Sequence, residues 1–539
     1  MDIEKIYPIN IAGVKNIGTE KWLRSYYIPV AGTEFQTIYD RVSTSFLDTV
    51  KQYNDDVVYW IAISNIRIIN STAQWISEVL RFMRLKERGY GYVIGKEKLR
   101  IPSDISIYEY NSLASINTIG KAVSGLNFQE RIKNVLRTMK CNIFPPVFAK
   151  GNIFTNLSSP VFFIGDSSQR EVVSYCNQNK ISPFHLLPML FANNSHEEVN
   201  KDSELNVILE FVHSFFVLLE KQFPSINSSL FRLLSKEVDK RFIYSLLFFR
   251  QNNNVFRKFK PKILLATGLG SAVSRVFCAS WRYAGGDVVG FTHGNNYFCG
   301  YHPGCINHLS LVNHYVAVSA GHKGILQKAA EDFSCGLEMG NLTFIKQSYY
   351  KQLFTELRRK KPVNKIKNIM LVGFPMTDSF HSPCDGLPYS PFFPGGYAFT
   401  QLDLELRIGK ILRSNGYNVI YKPHPNSPND IEEIFGGYAD EVIKPGFEEV
   451  FDKADCIMFG DLSTTTFGYS LLSNKPIVIF EVKGNYWYPR AFELIKKRCT
   501  VVDAEPVDGR IIFDEQDVLD AVQGSINNIN YDILYEFAF

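Results

Sequence analysis

The sequence lacks most of the residue spacings that mark large enzyme classes. No CxxC pair occurs among its nine cysteines, so neither a zinc site nor a disulfide framework is indicated, and a reducing cytoplasm is the expected compartment. No P-loop, GxSxG or HExxH occurs, which argues against a nucleoside triphosphatase, an α/β-hydrolase and a zinc protease. An excess of one charge is missing too. The 58 basic residues nearly balance the 54 acidic ones, and the net +4 is too small to make nucleic acid the main partner. There is no long hydrophobic run. The greasiest stretch, VILEFVHSFFVLLE at 207–220, contains Glu210 and His213 and falls short of the roughly 20 residues a spanning helix needs, so a buried helix is expected. The start, MDIEKIYPINIAGVKN, has no basic segment followed by an apolar one, and no secretory signal is expected. Any membrane association would be peripheral; basic clusters such as 81–88 and 356–362 could face anionic lipid or glycan, but a solvated helix face or linker is the favoured reading of each.

What is present is a regular alternation. From about residue 366, NIMLVGFP reads as a buried strand, TQLDLELRIGKILRSNG as an amphipathic helix with a glycine stop, and YNVIYKPHP as the next strand. DCIMFGD and PIVIFEV follow as strands, with short helices between. A second such stretch lies upstream, with strands at PKILLATGLG, DVVGFTHG and HYVAV. Strands alternating with helices imply parallel βαβ units, and 539 residues suffice for two large domains. The expected fold class is therefore α/β with two Rossmann-like halves. Residues 1–360 form the first, with extra helical elements, and 361–539 the second, joined by a linker at 354–368. Within 1–250, DVVYWIAIS and YGYVIG read as strands, while the stretches around 72–89 and 203–223 read as helices.

Several residues stand where such sheets bind ligands, beyond the carboxyl ends of strands. His424 sits between Pro423 and Pro425, which hold the chain rigid, and Lys422 precedes it. In GDLSTTT, Asp461, Ser463, Thr464, Thr465 and Thr466 fall between a strand end and a helix start. One hydroxyl would serve as an ordinary N-cap; a run of four, beside a histidine loop in the same sheet, favours a phosphate. His424 would then bind or protonate the phosphate oxygen of a leaving nucleotide. In the first half, His293 follows an apolar strand and precedes Gly294, a position for a general acid or base or for a hydrogen bond to a loop carbonyl. Gly268 in ATGLGS and Gly373 in LVGFP are turn glycines that let backbone approach a phosphate or simply close a tight turn. Asp55 and Asp56 lack the spaced DxD arrangement with which many sugar transferases hold a metal, so a metal-independent site with no cofactor beyond the donor is expected. Trp75, Tyr297, Trp487 and Tyr488 are aromatics that could stack on sugar rings.

Three motifs in this order, THG at 292–294, KPHP at 422–425 and GDLSTTTFGYSL at 460–471, resemble two related groups of proteins. One comprises bacterial glycosyltransferases using CMP-activated acidic sugars, the sialyltransferases and Kdo transferases of surface polysaccharides. The other comprises the CDP-glycerol glycerophosphotransferases of teichoic acid assembly. The resemblance covers roughly residues 260–485. It implies a GT-B arrangement, two Rossmann-like domains facing across a cleft, with a nucleotide-sugar donor on the second and a glycan acceptor, which could be lipid-linked, against the first. It implies that His424 contacts the donor phosphate, that Ser463, Thr464 and Thr465 take the Ser/Thr role, and that His293 lies near the reacting centre. The sialyltransferase acidic pair followed by glycine is absent, so the catalytic carboxylate is unassigned. Asp287 and Asp461 are the candidates, although either could cap a turn or helix. The implied activity is transfer of an ulosonic-type sugar from CMP onto an O-antigen or capsule, in the cytoplasm or at the inner face of the membrane. The alternatives are a CDP-glycerol or CDP-ribitol polyol-phosphate transferase, a nucleotide-sugar epimerase, and a catalytically silent nucleotide- or glycan-binding module.

Overall fold

The computed structural model describes residues 5–8, 11–30, 32–93, 161–165, 169–186, 203–259, 262–267, 269–292, 301–345, 348–360, 362–374, 376, 395–425, 427–462, 464–484 and 486–539. Two short strands, β1 (Ile6–Pro8) and β2 (Gly91–Val93), pair in parallel. The first large sheet contains β3 (Val161–Ile164), β4 (Phe184–His185), β5 (Ile263–Ala266), β6 (Asp287–Phe291), β7 (His314–Ala317) and β8 (Asn341–Phe344), all parallel, in the order β4-β3-β5-β6-β7-β8. The second contains β9 (Asn368–Val372), β10 (Asn418–Lys422), β11 (Glu441–Val442), β12 (Cys456–Phe459), β13 (Ile477–Val482), β14 (Thr500–Val507) and β15 (Arg510–Ile512). Its order is β11-β10-β9-β12-β13-β14-β15, parallel except for β15. The chain is thus α/β with two Rossmann-like sheets.

The strands read as continuous apolar runs because both faces are covered. In the second sheet Ile369, Leu371, Val419, Tyr421 and Met458 enter one core, and Met370, Val372, Ile420, Ile457 and Phe459 enter the other. Between β9 and β10 runs the helix Gly395–Ser414, buried on nearly every side, with Gln401, Leu402, Asp403, Leu404, Glu405, Leu406 and Ile408 all at most 1% exposed. One side faces the sheet; the other is covered by the chain's own start. Tyr7, Ile11, Val14, Trp22 and Ile28 join the second sheet's core. Polar contacts stitch them down: Tyr438 Oη donates to Glu20 at 2.7 Å, and Tyr26 Oη to the Gly509 carbonyl at 3.0 Å. At the other end, the helix Asp532–Phe537 packs back onto the helix Ala320–Phe333 of the first unit. The first sheet's strands all precede residue 360 and the second sheet's all follow it, while the segments at 7–28 and 532–537 pack across to the other sheet's unit.

Three expectations need correction. DVVYWIAIS is a helix, Asp56–Ser64, because Asp55 caps it by accepting from Val58 N at 2.9 Å and the apolar run is buried in the first core. The first third of the expected linker belongs to the helix Ser348–Arg358, whose Tyr350, Phe354 and Leu357 are buried in the second unit's core. The basic clusters are largely engaged. Arg81 pairs with buried Glu78, Arg84 with Glu34, Arg88 lies over the Tyr27 ring, and Lys360 pairs with Asp452. Among the described residues no helix is long and apolar enough to cross a membrane. An unanticipated hairpin joins β14 to β15 through Asp508 and Gly509, both at positive φ (50° and 79°), the combination a two-residue turn of this hand requires.

Candidate functional site

Relabelled by chain order, the second sheet runs 3-2-1-4-5-6 with an antiparallel seventh strand, so the order reverses between β9 and β12. Helices leave such a reversal in opposite directions and open a crevice beyond the carboxyl ends. Register places three strand ends side by side there: Lys422 is level with Val372, and Val372 with Phe459. Two residues beyond that row, in the loops that leave these neighbouring strands, come His424, Phe374 and Asp461.

His424 is half-buried, with its carbonyl accepting from Ser427 N at 2.9 Å to close the turn that the prolines set up. Burial, and then the positive charge of Lys422, hold its imidazole below the usual histidine range, so it is neutral at pH 7. Lys422 is not presented to a ligand in the way its place in the motif suggests. Its side chain is buried and Nζ donates to the Pro423 carbonyl at 2.8 Å, which makes it a support of the loop. Pro425 is exposed.

Asp461 is half-exposed beyond β12, and Oδ2 accepts from the Tyr397 hydroxyl at 2.8 Å. Thr464 caps the two-turn helix Thr465–Leu471, its Oγ1 accepting from Thr466 N at 3.2 Å and bonding the Thr466 hydroxyl. Its hydroxyl therefore does what an N-cap does. Thr465 is exposed, and Ser463 lies outside the described residues. The far end of this helix is held by Arg498, wholly buried, which donates to the carbonyls of Ser473 at 2.7 Å and Lys475 at 3.0 Å.

Glu405, Tyr421 and Tyr397 were not anticipated. Glu405 accepts from Phe374 N at 2.7 Å and from Tyr421 Oη at 2.8 Å, beneath the crevice. An acidic residue in the apolar stripe of LDLELRI was the signal available. Gly373 owes its identity to this pair, since a Cβ there would stand 2.3 Å from the Tyr421 hydroxyl. The close approach is to Tyr421. Gly373→Ala is expected to displace that hydroxyl and cost about 1–3 kcal/mol, read as a lowered urea midpoint. In Tyr421→Phe, which removes the obstructing oxygen, the same change should cost less.

The first sheet contributes less. Asp287 opens β6 at its amino end, exposed, with its N–H on the Lys262 carbonyl, at the end of the strand away from Thr292. It does not share a strand end with the other candidates, because the acid precedes the apolar run instead of following it. Thr292, at the carboxyl end, accepts on its carbonyl from Gln169 Nε2. His293 and Gly268 lie outside the described residues, as does Tyr297. The ring candidates are occupied by protein. Trp75 is buried, Trp487 stacks on Phe492 with centroids 4.6 Å apart, and Tyr488 meets Tyr301 edge-on at 6.3 Å. Among the described residues no group of three or more His, Cys, Asp or Glu gathers as metal ligands would.

No protein-family model matches the chain, and no curated protein matches it in sequence. Among solved structures it is similar to the KpsC β-Kdo 2,7-transferase of Thermosulfurimonas dismutans, at 16% identity over 51% of this chain and 89% of that one, with a TM-score of 0.22. A score that low carries no weight for what this chain does.

Proposed function

We propose that this chain is a glycosyltransferase that moves a sugar of the acidic ulosonic type from a CMP donor onto a bacterial surface glycan, such as an O-antigen or capsule. It would work in the cytoplasm or peripherally at the inner membrane. One observation carries the reading: β10 and β12 end level with each other across β9 on either side of the strand-order reversal, and His424 and Asp461 follow two residues after those ends. A nucleotide phosphate at that crevice would meet the neutral imidazole N–H of His424, the Thr465 hydroxyl and backbone N–H groups, with no metal ion needed to balance it.

In the proposed reaction these residues take the following parts. The acceptor hydroxyl oxygen bonds to the anomeric carbon as the carbon–oxygen bond to CMP breaks. The leaving electron pair settles on the phosphate oxygen, where a hydrogen bond from His424 stabilises it. Asp461 takes the proton lost by the acceptor hydroxyl, and Tyr397 holds that carboxylate in place.

A thermal-shift panel with CMP, CDP, UMP, UDP and GDP, first without metal and then with magnesium, tests the reading, since a ligand that binds only the folded state raises its melting point. CMP without magnesium should stabilise most. A response to CDP alone would transfer the site to the polyol-phosphate chemistry, and no response to any nucleotide would sink the transferase.

A further inference from the structure

Three chain segments meet around the Glu405 carboxyl. It is wholly buried in the middle of the helix Gly395–Ser414, with Oε1 on the Phe374 amide just past β9 and Oε2 on the Tyr421 hydroxyl of β10. Beyond β12, Gly460 lies beside it, a Cβ there standing at ordinary contact distance, 3.6 Å, from Glu405 Cγ. One side chain thus bonds the chain beyond β9 to β10 and lies beside the segment that follows β12. The titratable groups around it are Tyr421 from β10, Asp461 from the loop after β12, and Tyr397 on its own helix; among the described residues it pairs with no cation.

A buried carboxyl with a second carboxylate nearby and no cation keeps its proton. Burial pushes Glu405 up to about 8, against the pull of the Phe374 N–H and the Tyr421 hydroxyl, and the Asp461 charge adds to the rise.

We propose that Glu405 is a proton-bearing positioning residue of the nucleotide site. As a neutral acid it keeps Oε1 on the Phe374 N–H and turns the Tyr421 bond round, its own Oε2 hydrogen donating to the Tyr421 oxygen, and leaves the crevice receptive to phosphate; as a carboxylate it accepts from both groups and sets under that crevice a negative charge that repels one. The inference rests on the nucleotide reading above and adds to it a dependence on pH.

The test is calorimetric titration of the full chain with CMP between pH 7 and 9.5, where the CMP phosphate is already dianionic, its second pKa being about 6. Wild-type affinity is expected to fall about tenfold through pH 8, as one like charge arrives near the phosphate. Glu405→Gln, uncharged and still able to accept from Phe374 N, should hold its neutral-pH affinity throughout. Loss of the Lys422 proton would also weaken binding at high pH, but in both proteins alike. Unfolding gives a second readout. The folded value lies above the unfolded one, so Glu405 stabilises fully below about pH 4 and progressively less as pH rises towards 8. Glu405→Gln should lack that decline. A merely structural acid would show the stability slope with a flat affinity, and that result overturns the proposal while leaving the nucleotide site in place. A slope in affinity that persists in Glu405→Gln also overturns it. Absence of CMP binding at every pH overturns both this inference and the transferase reading.

Discussion

His424→Ala is expected to weaken CMP binding about thirtyfold while changing the stability of the unliganded protein by no more than about 1 kcal/mol. The binding loss follows from removing one hydrogen bond to a charged phosphate in a partly desolvated crevice, worth about 1.5–3 kcal/mol. The small stability change follows from the half-exposed setting of the ring, whose loop is braced independently by Pro423, Pro425 and the Lys422 ammonium. Calorimetry with CMP and a urea titration of each protein separate the two effects. Equal affinity in wild type and variant would remove His424 from the donor site. A variant that loses most of its stability would instead make the histidine a structural residue.

Asp461→Asn should produce a larger loss, in turnover. Asparagine has nearly the same shape and can still accept from the Tyr397 hydroxyl, so the loop should stay in place, while the group can no longer take a proton at neutral pH. General-base catalysis contributes about 10²–10⁴-fold, and the expected fall in kcat is of that order. CMP affinity should be unchanged or slightly higher, because a negative charge near the phosphate has gone. Release of CMP from a CMP-linked ulosonic acid, followed in the presence of acceptor glycan, measures this. A rate within a few-fold of wild type would exclude Asp461 as the base.

The architecture was largely legible because parallel strands covered on both faces leave an unmistakable trace. ILLA, NIMLV, CIMF and IVIFEV are apolar runs bounded by turns, and each forms a strand of the expected sheet. DVVYWIAIS carries the same trace for a different reason, since it is a helix surrounded by other helices, and only the capping Asp55 marks it as such. The site divides similarly. The places of His424 and Asp461 just beyond strand ends were legible because prolines and hydroxyl residues next to a strand end are local signals. Glu405 was not, because its partners lie 16 and 31 positions away and become partners only when β9, β10 and the helix between them pack together. Lys422 shows the converse. Its place in the motif suggested a phosphate ligand, but a lysine at the last position of a buried strand points its ammonium at the nearest carbonyl. The chain's first thirty residues gave no sign that they would cover the second sheet's helix, because their contacts are with residues such as Tyr438 and Gly509, some four hundred positions or more away.

The central claim is that a nucleotide occupies the crevice where the second sheet's strand order reverses. Hydrogen exchange of the full chain with and without CMP tests it directly. The account predicts slowed exchange at 373–374, 422–428 and 460–467, the segments beyond β9, β10 and β12, with the remainder of the second unit unchanged. Protection confined to the first sheet's strand ends, or no protection anywhere at saturating CMP, would contradict it.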